Sequence, residues 1–374
     1  MKLETTAASL KTALVMAGHV VERRTTIAVL SMVKIDGNVM TATDLDTEIS
    51  VTVPVIGAEG AICVPHALML ALVKNLPADQ RITLAATEKG AVLNFAGGRY
   101  LLPSLPSADF PVFPDTEWMP VDVNGEGLKR AVAFVAPVIS SEETRYYLNG
   151  VCIDAEDAVA TDGHRMATYP LGFDGQPFGR RILPSGLAKL IGRLPAPNAI
   201  RLGGSLRIAL DFPGMAIRAK TIDGTFPDWK RVVPSLSANA VHVTLATAQL
   251  RRSVKRISAV GRARKLLTLA WEGHRLSLFS RDMVEDVVAS EIMQTEHPSS
   301  GTGTVTFNSE YIAQQLAALK GEAVTVRFDD KGAPSLWTCE GMTGRLILMP
   351  ARGADESEAR SALSSLAAAE GEAA

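Results

Sequence analysis

The feature that most constrains this chain is a short pattern that returns at a nearly constant interval. TATDLD begins at Thr41, VATDGH at Val159 and LFSRDM at Leu278, which sets Asp44, Asp162 and Asp282 118 and 120 residues apart. Two further landmarks keep that spacing. VPHALMLALVKNLP from Val64, LPSGLAKLIGRLP from Leu183 and FNSEYIAQQLAALKG from Phe307 each read as a short helix with a Pro or small-residue start and a Pro or Gly stop. LPSADFPVFP from Leu105, IDGTFPDWKRVVP from Ile222 and the shorter LILMPARG from Leu346 close the three units. A period this long exceeds the roughly 20–50 residues of solenoid repeats and suits a whole domain. The chain therefore reads as three copies of one domain, 1–118, 119–236 and 237–353, with 354–374 left over.

Each copy opens on an amphipathic helix. Leu250, Val254 and Ile257 recur at helical spacing against Arg251, Arg252, Lys255 and Arg256, and Leu128, Val132 and Val135 repeat the design against Lys129 and Arg130. Short strands with turn signals follow, as in LLTLAWEGHRLSLFS, where Glu-Gly predicts a hairpin. Two helices and a set of antiparallel strands per copy predict an α+β fold with the helices on one face of the sheet.

Several chemistries find no support. Cys63, Cys152 and Cys339 are odd in number and scattered, which predicts buried free thiols and neither a disulfide framework nor a zinc site. The longest apolar run, Ala67 to Val73, is far short of the roughly 20 residues of a membrane helix, and Glu4 and Lys11 interrupt the only candidate leader; a soluble, cytoplasmic protein is expected. Asp162 and His164 stand two apart and would share one face of a strand, the geometry of an acid–base pair. A hydrolase built on them would also need a nucleophile, and no G-x-S-x-G elbow is present. Nor is there a phosphate-binding G-x-x-x-x-G-K-[ST] loop, so the chain is not expected to use ATP.

Net charge is −2, but it is unevenly spread. The copies carry −3, +2 and +3 and the tail −4, so the basic surplus lies in the second and third copies. Seven Lys or Arg fall in the fifteen positions from Arg251 to Lys265.

RYYLNGV (145–151), VATDGHRMA (159–167), DGTFPDWKRVVP (223–234), LPSADFP (105–111) and LMPARG (348–353) together resemble the bacterial DNA sliding clamps, the beta subunit of DNA polymerase III, over residues 1–353. The resemblance implies three repeated clamp domains per chain and a head-to-tail homodimer that closes as a ring around double-stranded DNA. It implies a processivity factor without catalysis, cofactor or metal, which holds DNA by topology and needs only weak phosphate contacts. An ATP-driven loader, the DNA polymerase III catalytic subunit and other replication or repair proteins are the partners it implies, the latter docking through short peptides of the Gln-Leu-x-Leu-Phe kind. The DNA path would then use Arg24, Tyr146, Tyr147, Arg251, Arg252 and Lys255. The peptide groove would comprise Leu148, Thr161, Gly163, His164, Arg165, Met166, Pro227, Arg231, Val232, Ile347, Leu348, Met349 and Pro350. Tyr100 and Leu102 would meet a partner subunit near Ile257 and Val260.

The chain departs from the family pattern in three places. Met349-Pro350-Ala351-Arg352-Gly353 lacks two apolar side chains of the usual ending, Ser258 and Ala259 fall near a usual apolar intersubunit pair, and Glu142 and Glu143 bring negative charge to the expected DNA path. A specialised clamp paralogue with weakened partner binding stays open on those grounds. The acidic, Ala-rich tail 354–374 has Leu363 and Leu366 as its large apolar residues, too few to offset the entropy of ordering, which predicts a mobile extension. Alternatively, a transient helix would offer that pair to the groove.

Overall fold

The computed structural model describes the chain except residues 123, 173–178, 205, 261–264, 296–298, 300, 353–355 and 373–374, and, within the last helix, the side chains from 366 on. Among the described residues there are seven α-helices: α1 (Ala7–Ala17), α2 (His66–Val73), α3 (Gly125–Val135), α4 (Ser185–Arg193), α5 (Thr247–Ile257), α6 (Ser309–Ala318) and α7 (Glu356–Glu372). The first six are the paired helices expected of the three copies.

Local chemistry accounts for where they begin and what they bury. The Thr6 hydroxyl accepts the Ser9 N–H at the start of α1, and the Asn308 side chain accepts those of Glu310 and Tyr311 at the start of α6, satisfying donors that a helix leaves unpaired. In α5 the stripe Leu250, Val254, Ile257 is buried and Arg252, Lys255 and Arg256 are exposed.

The repeated aspartate is a turn device. Asp44 Oδ1 accepts the N–H groups of Asp46 and Thr47, Asp162 Oδ1 those of His164 and Arg165, and Asp282 Oδ1 those of Val284 and Glu285. Each side chain folds its own hairpin by bonding two and three residues ahead, which explains why this residue returns with the period of the domain.

By packing, the chain forms two compact units that cut across the three copies: Met1–Gly127 with Lys189–Ile222, and Leu128–Gly172 with Pro177–Ala188 and Asp223–Ala374. The reason is in the sheets. The first unit holds a five-stranded sheet from Val55–Glu59 through Lys2–Thr6, Arg81–Thr87 and Gly90–Phe95 to Gly98–Leu102. It also holds an eight-stranded antiparallel sheet in which Met215–Lys220, from the second copy, pairs with Thr47–Thr52, from the first. The second unit repeats this arrangement. Its eight-stranded sheet runs from Arg181–Pro184 to Val241–Ala246, and Arg165–Pro170 of the second copy pairs with Arg345–Leu348 of the third. A four-stranded sheet, in the order Val287–Gln294, Arg275–Asp282, Leu266–Glu272, Thr302–Asn308, completes it. Hydrogen-bonded ladders thus run across the sequence boundaries near 118 and 236, and both ladders are long-range pairings.

The tail corrects the expectation of a mobile extension. Helix α7 buries Ala359 and Leu363 against Ala270 and Phe279 of the four-stranded sheet, with Ile292 and Ala362 packed alongside. One helical turn places the two apolar residues on one face, and the sheet supplies the surface that the tail lacks by itself. Leu363 is therefore not offered to a groove; the side chain of Leu366 lies outside the described residues.

Candidate functional site

The turn 161–165 is over-determined by hydrogen bonds. Thr161 Oγ1 donates to the Arg165 carbonyl (2.7 Å) and accepts from Gly163 N–H (3.1 Å). Gly163 takes φ = +90°, a backbone region that L side chains avoid. Asp162 Oδ2 accepts from Arg165 Nε at 2.9 Å, and Arg165 Nη2 donates to the Pro137 carbonyl at 3.3 Å. Arg165 is only 7% exposed, and its guanidinium lies 4.3 Å from the centre of the Tyr311 ring. The same ring stacks on His164, with centroids 6.3 Å apart and planes 23° from parallel. Burial, followed by the nearby Asp162 carboxylate, raises the Tyr311 phenol above its ordinary value, so it stays a neutral hydrogen-bonding group. On the other side Arg145 donates to the Asp162 carbonyl (3.2 Å) and is held by Glu142, which accepts from both its Nε and Nη2.

Met349 joins this turn through its own N–H, which donates to the His164 carbonyl at 3.0 Å. Arg165 and Met166 sit opposite Leu348 and Ile347 in the paired strands. DGTFPDWKRVVP is seated on the same sheet by its aromatic residues. Phe226 and Trp229 are buried, and Trp229 Nε1 donates to Asp154 Oδ2 (2.8 Å), which also accepts from Arg180 (2.9 Å). That anchoring leaves Pro227, Arg231 and Val232 exposed. Gly224 lies against Tyr147 and Tyr146; a Cβ there would come within 3.0 Å of the Tyr147 Cβ. Tyr146 is 53% exposed and makes an edge contact with the half-buried Tyr147, while Arg24 is exposed in the other unit.

Several expected site residues have other employment. Leu148, Met166, Ile347 and Leu348 are buried in the protein core, whereas Gly163, His164 and Met349 are exposed. Arg251 is exposed on α5, and its Nη2 donates to the carbonyls of Leu316 (2.8 Å) and Leu319 (2.7 Å), so it satisfies acceptors at the end of α6 while no carboxylate among the described residues neutralises its charge. Arg252 and Lys255 remain exposed. Leu102 is 2% exposed, set opposite Ala91, and Ile257 is 2% exposed because the stripe that packs α5 on its sheet includes it. The exposed apolar residues near them are Leu101, beside Tyr100 on an edge strand, and Val287 and Val288 on the edge of the four-stranded sheet. Val260 is half-buried. Tyr311, whose ring His164 stacks on and Arg165 faces, is the neighbour of this turn that sequence reasoning missed. Its only local signal is its position just inside the N-cap of α6, 146 positions from Arg165.

A catalytic reading of Asp162 and His164 has no geometry behind it. Both carboxylate oxygens are engaged within the turn, and the imidazole faces Tyr311. Burial raises the thiols of Cys63 to about 11 and Cys152 to about 12, so neither supplies a thiolate near neutral pH. What the site offers is a rigid backbone turn, an exposed methionine and aromatic and cationic handles: the features of a peptide-docking scaffold in an α+β clamp fold.

Comparison with known proteins gives the family. Residues 1–114 match the N-terminal domain, and residues 122–228 the central domain, of the DNA polymerase III beta subunit. The beta sliding clamp of Caulobacter vibrioides is 31% identical, with 94% of this chain and 100% of the relative covered. A crystal structure of the Caulobacter crescentus clamp superimposes with a TM-score of 0.84 at 29% identity, covering 94% of this chain and 99% of that one. One of a Pseudomonas aeruginosa clamp bound to griselimycin gives 0.85 at 25%, covering 94% and 100%. The chain belongs to the family of bacterial beta sliding clamps, the beta subunit of DNA polymerase III. It is accordingly a DNA sliding clamp, a processivity factor and not an enzyme, and a ring-shaped homodimer is consistent with the family's structures. No helix among the described residues is long and apolar enough to cross a membrane.

Proposed function

We propose that two copies of this chain, each read as three clamp domains (1–118, 119–236, 237–353), close head to tail around duplex DNA in the cytoplasm. The ring tethers the DNA polymerase III catalytic subunit and other replication or repair proteins through short peptides, and a separate ATP-driven loader places it on DNA. The observation that carries the docking site is the convergence of Gly163, His164 and Met349 in one hydrogen-bonded turn, backed by Tyr311 and Arg165. Met349, 38% exposed, supplies an adaptable apolar contact suited to more than one partner.

A Gln-Leu-x-Leu-Phe peptide is expected to bind in the micromolar range, about −8 kcal/mol or weaker, measured by fluorescence anisotropy. Met349→Ala and His164→Ala each reduce its affinity by roughly three- to tenfold and leave the assembly mass unchanged. Peptide contacts mapped by crystallography to residues remote from this turn would overturn the assignment.

Arg24, Tyr146, Tyr147, Arg251, Arg252 and Lys255 are the exposed or half-exposed groups assigned to the DNA path, the tyrosines offering stacking surface. Replacing Arg24, Tyr146 and Tyr147 together by Ala is expected to slow loading while leaving the oligomer intact. Binding to DNA falls only shallowly with salt because few phosphates are engaged. Loading at the wild-type rate returns these residues to a purely structural role.

A further inference from the structure

Helix α7 is an addition to the docking site's own frame. The strand Arg345–Leu348 is well held: the Ser335 hydroxyl donates to the Leu348 carbonyl (2.8 Å), and Trp337 Nε1 donates to that hydroxyl (2.9 Å). Beyond Leu348 the chain leaves the sheet, and Met349 and Pro350 are the exposed and half-exposed wall of the site. That wall is tied down at two backbone points, Met349 N–H to the His164 carbonyl and Ala351 N–H to the Thr306 carbonyl (2.8 Å). A segment held so lightly frays when the chain beyond it is not anchored.

Five residues after Ala351, at Glu356, the anchor begins. The Thr304 hydroxyl donates to Glu356 Oε2 (3.1 Å), and Lys331 donates to both oxygens of the same carboxylate (3.1 and 3.2 Å). Thr304 and Thr306 belong to one strand, Thr302–Asn308, so that strand receives the end of the wall and the start of α7 two residues apart. Within the first turn of α7 Arg281 donates to Glu358 (2.7 Å), and further along Ala359 and Leu363 are buried on Ala270 and Phe279. The exposed ion pairs add little by themselves; the buried Ala359–Leu363 contact supplies the hold.

We propose that α7 is a clip that positions the Met349–Pro350 wall, ordering it before a partner peptide arrives. The benefit to binding is pre-organisation, since a wall already fixed loses less entropy when it is contacted. The consequence for peptide affinity rests on the docking site described above; the ordering of the wall does not.

The test compares the full chain with two variants, one ended after Arg352 and one carrying Leu363→Glu, with Leu363→Met as the conservative control. Hydrogen exchange is followed at the Met349 and Ala351 amides, and a Gln-Leu-x-Leu-Phe peptide is titrated by anisotropy. Both disruptive variants are expected to exchange roughly tenfold faster at those amides and to bind the peptide about three- to tenfold more weakly, while Leu363→Met keeps the wild-type values. Unchanged exchange overturns the clip. Tighter peptide binding by the truncated chain also overturns it, because the tail would then be a competitor. Faster exchange in a protein whose full-length form binds no peptide upholds the clip and defeats the docking site instead.

Discussion

Asp162→Ala is expected to destabilise the second unit by about 3–5 kcal/mol, several times the cost of the same change at its repeat counterpart Asp44. Both carboxylates cap a hairpin through two backbone N–H groups, and losing such a cap costs about 1 kcal/mol. Asp162 alone of the two also pairs with a buried arginine. Without it Arg165 keeps the Pro137 carbonyl and the Tyr311 face, but its charge stays in a site only 7% exposed. Removing one partner of a buried pair leaves the other's desolvation uncompensated. Chemical unfolding followed by near-ultraviolet signals checks the difference, and peptide titration should show affinity lost together with the turn. Asp162→Asn, which keeps an acceptor for the backbone, falls between. Equal losses for Asp162→Ala and Asp44→Ala would show that the Arg165 pair contributes nothing.

Dimer closure is the second large effect. The edge strand Gly98–Leu102 presents Tyr100 and Leu101, the latter 58% exposed, and the edge strand Val287–Gln294 presents Val287 and Val288. Unpaired strand edges carrying apolar residues are templates for pairing with another chain, and a head-to-tail ring would use each edge once per junction. Val288→Glu combined with Leu101→Glu places two negative charges at every such junction. Light scattering of the unaltered protein at micromolar concentration is expected to give about twice 39.8 kDa, and the double variant the mass of one chain. Retention on nicked circular DNA at high salt, with release after linearisation, should disappear in the variant, because topological holding needs a closed ring. A variant that remains dimeric and retained would move the junction elsewhere.

Much of this protein was legible from residue order alone, for one physical reason: the signals are local. A carboxylate that bonds two and three residues ahead, a cap that bonds two or three residues ahead, and apolar residues at helical spacing all act within a single turn of chain. The threefold repeat, the six paired helices and the α+β class follow from them. The motif resemblance led to the clamp family, and the turn at Asp162 is legible as a motif.

What residue order left open depends on which distant segments meet. Nothing near Arg251 announces that it caps α6 65 residues away, and nothing near Tyr311 announces that His164 and Arg165 will lie on its ring. Ile257 satisfies an amphipathic stripe and an intersubunit position equally well on paper, and burial decides for the stripe. Composition makes the tail a solvated extension because it counts only the apolar area the tail carries. The tertiary structure supplies Ala270 and Phe279 as the other half of that contact. Sequence by itself determined the recurring helices and the turns, whose energies are settled within a few residues. Only the folded chain decided the sheets that join the copies, the residues left exposed at the site and the seat of α7, because those depend on surfaces brought together from far along the chain.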